Sequence, residues 1–229
     1  MERKIDTISG SLLFKGLPEE QLKKVEAISV ESHFNRGDII FSEGHEADGF
    51  YIVAQGRVKI FKVSVDGKEQ ILHIFGPNEP FGEVPVFSGQ NFPAYAQAIA
   101  KSRLLFFPRS AFVELVTANP SLAMNMLAVL SMRLRQFTVQ IENLSLKEVP
   151  GRLAAYLLYL ADEQGSTDSV TLNISKVQVA SLLGTIPETL SRIFAKMSSS
   201  KLIEVKDRDV KLLNPSGLKE LAEHGKPEK

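Results

Sequence analysis

The chain of 229 residues contains no cysteine. This absence excludes disulfide bonds, zinc sites with thiolate ligands, an iron–sulfur cluster held by thiolates and a cysteine nucleophile. Long apolar runs are missing too: nowhere do 18 uncharged apolar residues follow one another, and the N-terminus carries charges at Glu2, Arg3, Lys4 and Asp6 rather than a signal-peptide core. We therefore expect a cytoplasmic protein that does not enter a membrane.

An excess of charge of one sign is also missing. The chain has 27 basic and 27 acidic residues, with 15 against 16 up to Leu146 and 12 against 11 after it. With 44% apolar and 24% charged residues, its composition is that of an ordinary globular protein. Nucleic-acid binding cannot be inferred from this charge balance and has to be shown by a motif.

Sequence motifs typical of enzymes are missing as well. The sequence has no glycine-rich phosphate loop followed by lysine, no histidine pair at metal-ligand spacing and no Gly-x-Ser-x-Gly segment. We therefore expect a protein that is not an enzyme.

Short strand signals, some of them continuous apolar runs and some alternating, occupy the region from about His33 to Phe107. Glycines separate the runs, which are Ile39–Phe41, Phe50–Val53, Val58–Val63 and Gln70–Phe75. The pair Asp66-Gly67 between the last two predicts a tight hairpin whose two turn residues both have positive φ. This pattern predicts an antiparallel β-roll within an α+β protein, and we assign residues 1–118 to it.

A helical period replaces this pattern after Asn119, which can cap a helix that starts at Pro120. The helix is predicted to run to Leu146, within a segment 119–147. One stripe follows coiled-coil spacing and consists of Leu127, Leu130, Leu134, Phe137, Ile141 and Leu144. The stripe could pack on its own domain. We favour a dimer seam, because a second flank of Leu122, Met126 and Val129 can face the roll.

Residues 148–229 form a third predicted segment. Two short helices, Ser175 to Leu183 and Pro187 to Met197, flank Gly184-Thr185-Ile186, and two strands follow at Leu202–Val205 and Val210–Leu213. This order predicts a winged helix-turn-helix, in which the second helix enters the DNA major groove.

Taken together, these segments resemble the CRP/FNR transcription regulators over nearly the whole chain. The resemblance rests on four motifs in the same order, which read GDIIFSEG at 37–44, FYIV at 50–53, FGE at 81–83 and PETLSR at 187–192. It implies a β-roll sensor, a long dimerisation helix and a winged helix-turn-helix. It also implies a homodimer that binds double-stranded DNA and contacts RNA polymerase.

The first turns of the second helix carry the predicted base readers Glu188, Ser191 and Arg192. Arginine can donate two hydrogen bonds to guanine, glutamate can accept from cytosine, and serine can contact thymine. This arrangement is similar to that of FNR-type members, whose half-site contains TTGA. The alternative is a capping box from Thr185 to Glu188 on a solvated helix face. Candidates for phosphate contacts are Ser175, Lys176, Lys196, Lys201, Lys206 and Arg208.

The candidate effector pocket departs from the cyclic-nucleotide type, in which an arginine after Phe-Gly-Glu pairs with the phosphate. Gly82 and Glu83 match that type, but no Arg or Lys occurs between Glu83 and Lys101. The segment expected to carry the cation contains Phe92, Pro93 and Tyr95. A buried phosphate without a cation is costly, so cyclic AMP is not expected as the effector. Glu83 could instead fix a turn of the roll.

The segment 91–98 also looks like that of the nitric-oxide-responsive branch, the DNR and HcpR regulators, for which haem is the implied cofactor. An apolar pocket lining would come from Phe75, Phe81, Phe87, Phe92 and Tyr95. His73 is the candidate haem ligand, although a lone strand histidine is more often a surface residue. A competing hypothesis is a roll that binds a cyclic nucleotide and acts through a partner protein. It leaves the winged helix-turn-helix without a role.

Overall fold

The computed structural model describes residues 3–224, apart from the side chains of Phe87 and His224. The chain divides into two units, Met1–Arg135 and Gln136–Lys229, and the boundary falls inside one long helix. The segment limits expected from the sequence, at residues 118 and 147, stay a prediction.

In the N-terminal unit two helices and a 3-10 turn precede the strands, one short helix lies among the strands, and further helical structure follows the last strand. Its helices are α1 (Lys4–Gly10), a 3-10 turn (Leu12–Phe14), α2 (Glu19–Ile28), α3 (Val84–Ser88) and α4 (Arg109–Ala118). Its strands are β1 (Val30–Phe34), β2 (Ile39–Phe41), β3 (Gly49–Gln55), β4 (Val58–Val63), β5 (Glu69–Phe75), β6 (Pro80–Phe81), β7 (Tyr95–Ala98) and β8 (Ser102–Pro108).

These strands form two four-stranded sheets with the orders β1-β8-β3-β6 and β2-β7-β4-β5, and every pair is antiparallel. The predicted α+β class with an antiparallel roll is therefore confirmed. One core lies between the sheets and combines Val53 and Leu104 of the first with Val58 and Phe75 of the second. A second core packs the other side of the first sheet against the helices, since successive strand residues point to opposite faces.

The hairpin between β4 and β5 differs from the predicted two-residue turn. Ser64 N–H donates to the Lys68 carbonyl, Gly67 N–H donates to the Ser64 carbonyl, and Gly67 has φ of +78° while Asp66 does not have positive φ. This is a three-residue loop that ends in a left-handed glycine. Such a hairpin needs positive φ at one residue only, unlike the predicted two-residue turn. The glycine is required there, but the aspartate is not.

The long helix α5 (Pro120–Leu146) has the predicted limits. Asn119 does not act as its predicted cap, because the side-chain amide donates back to the Leu115 carbonyl of α4 at 2.8 Å. Leu122, Met126 and Val129 are buried in the helix-side core of the roll, as expected for the flank that faces its own domain.

The C-terminal unit contains α6 (Val149–Glu163), β9 (Ser169–Thr171), α7 (Lys176–Leu182), α8 (Pro187–Ser199), β10 (Ile203–Lys206), β11 (Asp209–Leu212) and α9 (Pro215–His224). The break between α5 and α6 lies at Lys147-Glu148, and Pro150 falls in the first turn of α6. The wing has a third strand that the sequence analysis missed, since β9 pairs with β11.

Arg152 of α6 joins three backbone segments within this unit. Its guanidinium donates to the carbonyls of Leu144 and Lys147 and to that of Leu183, at 2.8–2.9 Å. The three carbonyls lie at or just after the C-terminal ends of α5 and α7, where a carbonyl has no N–H partner within its own helix.

No single helix in the described part of the chain is long and apolar enough to cross a membrane. The pair α4 and α5 meets that test by length and composition, but it bends by 113° at the junction.

Candidate nucleic-acid interface and effector site

Helix α8 separates its residues into a buried face and an exposed face. Leu190, Ile193, Phe194 and Met197 are buried, and they hold the helix on the rest of its unit. The predicted readers occupy the opposite side and are exposed: Glu188, Ser191 and Arg192. Residues three and four apart share a helix face, so the three side chains lie together in the first two turns.

The start of α8 decides against the capping-box alternative. The N-cap is Ile186, in extended conformation, and Pro187 is the first helical residue. An isoleucine side chain cannot accept a hydrogen bond, so the cap pair expected from Thr185 and Glu188 is not formed. Glu188 is left exposed in the first turn, while the Ser191 hydroxyl donates to the Pro187 carbonyl at 2.9 Å.

The candidates for phosphate contacts have different surroundings. Ser175 caps α7: its hydroxyl accepts from the Gln178 N–H at 3.3 Å, and the Gln178 side chain accepts from the Ser175 N–H at 2.9 Å. Its side chain therefore already has a structural role. Lys176 is exposed, with Nζ 5.4 Å from the centroid of the Phe194 ring of α8. Also exposed are Lys196, Lys201, Lys206 and Arg208.

The interior of the roll near the candidate effector site is filled by its own aromatic rings. Phe92 stacks on Phe41 with ring centroids 3.7 Å apart, and Phe81 lies 5.6 Å from Phe75 and 5.3 Å from Tyr51. Of the other predicted lining residues, Tyr95 stacks on Phe61 instead and Pro93 is exposed. Gly82, with φ of +76°, lies against Phe41 and Phe92. The Phe87 side chain lies outside the described part.

Glu83 is 1% exposed and forms an ion pair with Arg133 of α5. The same guanidinium donates to the Pro80 carbonyl and lies 5.0 Å from the centroid of the Phe75 ring. The second carboxylate oxygen of Glu83, Oε2, is buried and has no hydrogen-bond partner among the described residues. A cation therefore does reach this site, from a helix fifty residues further along the chain.

The segment that would carry the cation of a cyclic-nucleotide site is tied to the loop after β2. Gly44 N–H donates to the Phe92 carbonyl, and Phe92 N–H donates to the His45 carbonyl, both at 2.9 Å. Lys62 bonds both the Glu43 carboxylate and the Pro93 carbonyl. These bonds hold Phe92 over Phe41.

His73 was the candidate haem ligand, and its surroundings do not fit a haem. Its imidazole lies 4.5 Å from the Phe75 ring, which in turn contacts Phe81 and Arg133. A macrocycle bound to His73 would have to displace these packed rings. Burial, with a smaller contribution from the Arg133 charge, lowers the pKa of His73 to about 4.

That lowered pKa predicts acid sensitivity. His73 is neutral in the folded roll between its unfolded pKa near 6.5 and about 4, whereas the unfolded chain takes up a proton there, so stability falls as the pH falls through this window. We expect up to about 3 kcal/mol at 1.36 kcal/mol per pKa unit. Urea unfolding from pH 7.5 to 4.5 measures it, and His73→Phe should flatten the profile whereas His45→Gln should not. An unchanged profile in His73→Phe would contradict the assignment.

The predicted dimer seam lies on the open side of α5. Leu127, Leu134, Phe137 and Ile141 are 57%, 69%, 43% and 64% exposed. The two remaining residues of the stripe, Leu130 and Leu144, are half-buried. An apolar row of this length is unusual on a surface that faces water.

Comparison with known proteins identifies the family of this chain. Residues 31–119 match the cyclic nucleotide-binding domain, and residues 151–221 match the Crp-like helix-turn-helix domain. The cyclic AMP receptor protein of Thermus thermophilus is 30% identical over 215 residues, which cover 94% of this chain and 98% of that protein. The chain belongs to the CRP/FNR family. Its members are DNA-binding transcription regulators that act as dimers.

Two further CRP/FNR relatives are similar over most of their length. The CRP-like cAMP-activated global transcriptional regulator of Mycobacterium tuberculosis is 29% identical over 202 residues, covering 86% of this chain and 90% of that protein. The solved structure of FixK2 from Bradyrhizobium japonicum has a TM-score of 0.76 at 24% identity, covers 85% of this chain and 97% of that chain, and shows the shared fold. The relative from Mycobacterium tuberculosis is a transcriptional regulator. The narrower likeness to the DNR and HcpR branch stays a prediction.

Arg133 is the residue of the candidate effector site that sequence reasoning missed. It lies four residues after Val129 and continues the row of Leu122, Met126 and Val129 at helical spacing. A charged residue in an otherwise buried row indicates a partner on the facing domain, and Glu83 is a buried carboxylate there. That row was the available signal.

Proposed function

We propose that this CRP/FNR protein is a homodimeric transcription regulator that binds an inverted repeat with TTGA half-sites. The observation that carries the proposal is the joint exposure of Glu188, Ser191 and Arg192 on one face of α8. A regulator of this kind works in the cytoplasm, on double-stranded DNA and beside RNA polymerase.

Each reader has a defined chemistry. Arg192 can donate two hydrogen bonds to the O6 and N7 atoms of guanine, and Glu188 can accept from the amino group of the cytosine opposite. Ser191 lies between them on the same face, where it can contact thymine. Because the N-cap of α8 is Ile186, Glu188 does not serve as part of a capping box at the start of the helix.

The phosphate contacts are proposed for exposed cations around this face. Lys176 lies at the start of α7. Lys196 lies on α8, about two turns after Glu188. Arg208 occupies the tip of the wing between β10 and β11. Such contacts add affinity without sequence preference.

A gel-shift titration tests the proposal directly. The protein should retard DNA with a TTGA inverted repeat, lose affinity as salt rises, and bind scrambled DNA of the same length much more weakly. Equally weak binding to both DNAs would contradict the proposed recognition of TTGA half-sites. Binding to neither would favour the roll as a module that acts through a partner protein.

Glu188→Ala should relax base preference at one base pair without lowering the melting temperature. A base reader loses discrimination of about 1–3 kcal/mol at its own pair, whereas a capping residue would cost helix stability instead. Competition binding with half-sites changed at single positions, together with thermal melting, measures both. Ser191→Ala is the matched neighbour and should alter a different base pair. Lower melting with unchanged preference would contradict the role of Glu188.

We also propose that cyclic AMP is not the effector. Arg133 supplies the cation in this site, and Glu83 already engages it. Another cation would have to come from the segment that contains Phe92. That segment is held in place because Phe92 stacks on Phe41 and its backbone bonds to Gly44 and His45. An effector of other chemistry remains the expectation from the resemblance. Haem is not carried forward, because the surroundings of His73 do not fit it.

Titration calorimetry with cyclic AMP should therefore show no heat of binding at micromolar to millimolar ligand. A cyclic phosphate would have to displace a buried carboxylate from its guanidinium, and an unpaired buried charge is costly. Glu83→Gln removes the charge that competes with the phosphate for Arg133. It is therefore the variant to compare with the unmodified protein. Tight binding by the unmodified protein, with rising DNA affinity, would contradict the proposal.

A further inference from the structure

Arg152 connects the end of α5 with the helix-turn-helix inside the C-terminal unit. This unit begins at Gln136, and it contains α7, α8 and the last three residues of the predicted dimer seam, Phe137, Ile141 and Leu144. The side chain of Leu144 belongs to the seam, and its carbonyl accepts a hydrogen bond from Arg152 at 2.9 Å. The position of the seam's end relative to the helix-turn-helix is therefore a property of one compact unit.

Each nitrogen of the Arg152 guanidinium has a different carbonyl as its partner. Nη2 donates to Leu144 at 2.9 Å and Nε donates to Lys147 at 2.8 Å, and both carbonyls lie where α5 ends. Nη1 donates to Leu183 at 2.8 Å. Because the N–H groups of a guanidinium form a rigid planar fork, three engaged nitrogens fix its orientation. A rotation of the end of α5 against α7 would break at least one of these bonds.

The third partner, Leu183, lies directly before the turn that leads into the reading helix α8. Leu183 is the C-cap of α7, and three residues later Ile186 is the N-cap of α8. The carbonyl of a C-cap residue has no N–H partner within its own helix, so Arg152 supplies one. The same guanidinium thus holds the end of α5 and the turn from which α8 starts.

The distance between two half-sites of an operator makes this connection important for DNA binding. A two-fold dimer on an inverted repeat places its two reading helices in major grooves that lie about 34 Å apart, which is one helical turn. A change of one base pair moves one half-site by about 3.4 Å and turns it by about 35° around the duplex axis. A rigid connection between the seam and the turn before α8 allows one spacing, whereas a loose connection allows several.

We propose that Arg152 is the positioning residue that determines which half-site spacing the dimer accepts, because its three bonds hold the helix-turn-helix in one orientation to the end of the seam. This inference rests on the proposed function, since it assigns base reading to α8 and the dimer contact to the stripe of α5. The role requires no contact between Arg152 and DNA. Loss of Arg152 should therefore change which spacings are bound without changing which bases are read.

The test measures the affinity of the full chain, by fluorescence anisotropy, for TTGA inverted repeats whose half-sites are moved one or two base pairs together or apart, and for a single half-site. Arg152→Met keeps the length of the side chain but removes its donors, and Arg152→Lys keeps the charge but lacks the planar fork. Lys147→Met is the matched control, because it removes a positive charge at the same junction and leaves the Lys147 carbonyl in place. Circular dichroism and thermal melting report folding, and Arg152→Lys carries the test if Arg152→Met does not fold.

We expect the unmodified protein and Lys147→Met to bind the preferred spacing about 100-fold more tightly than a spacing changed by two base pairs, since only one half-site is then engaged. For Arg152→Met this ratio should fall to about 10-fold or less, with most of the loss at the preferred spacing, because a loose unit gains less from the second half-site. Arg152→Lys should lie between the two. Base preference on the single half-site should be unchanged in all of them. A folded Arg152→Met protein that keeps the full ratio, whatever its melting temperature, would overturn the proposal.

A distance measurement separates this proposal from the proposed function, because it needs no DNA. Since the chain has no cysteine, spin labels can be attached at Glu142→Cys on α5 and Ser199→Cys on α8, both exposed positions. With labelled chains diluted in unlabelled protein, double electron–electron resonance should give a narrow distance distribution for the otherwise unmodified protein and for Lys147→Met, and a broader one for Arg152→Met. This result supports the connection even if TTGA is not the operator. Equal widths in Arg152→Met and the unmodified protein would overturn the connection even if the operator is bound.

Discussion

Leu134→Glu is expected to convert the protein into a monomer that no longer binds its operator specifically. Leu134 is 69% exposed near the middle of the apolar stripe of α5, and in a parallel pair of helices it would face its own copy. Two buried glutamates at that point would repel each other and lose apolar contact. Because a monomer engages one half-site at a time, operator affinity should fall by about 100-fold or more.

Gln136→Glu is the matched control for this experiment. It adds the same charge to the same helix two residues away, on the side opposite the stripe, and it should leave both the dimer and DNA binding unchanged. Sedimentation velocity at micromolar protein gives the oligomeric state, and anisotropy gives the affinity. A Leu134→Glu protein that sediments as a dimer, or an unmodified protein that is monomeric on DNA, would show that the seam is wrongly placed.

Features that depend on neighbouring residues could be predicted from the sequence. The limits of α5 followed from Pro120 and from an unbroken helical period, and the separation of α8 into two faces followed from residue spacing. Although β1, β6, β7 and β8 were not predicted, β2 to β5 were, because each is a short apolar or alternating run next to a turn signal. In these cases the determining interactions lie within a few residues of one another.

Features that depend on contacts between distant segments could not be predicted in this way. Whether Asn119 bonds forward to α5 or back to α4 is decided by the sharp bend between those helices. The short strand β9 is defined by its pairing with β11, forty residues later. A cation for the candidate effector site was expected only close to Glu83 along the chain, whereas Arg133 reaches Glu83 because α5 packs on the roll.

Arg192→Ala is expected to weaken binding to the cognate operator by about 1–3 kcal/mol for each half-site and to relax preference at a single base pair. The reason is that a guanidinium donates two bonds to one guanine, and alanine leaves those acceptors unpaired. Non-specific binding should change little, and so should the melting temperature, because Arg192 is exposed in the free protein. Competition with operators changed at each position measures the preference, and Lys219→Ala, on the exposed side of α9, is the control for loss of one positive charge.

Lys176→Ala provides the contrast that makes the Arg192 result decisive. Lys176 is exposed at the start of α7, and as a phosphate contact it should add the same affinity to every sequence. Its removal should weaken specific and scrambled DNA alike and make the dependence of log affinity on log salt shallower by about one unit for each half-site. If Arg192→Ala instead gives this uniform, salt-dependent loss with unchanged base preference, then α8 contacts the DNA backbone without reading it, and the sequence must be recognised by another part of the C-terminal unit.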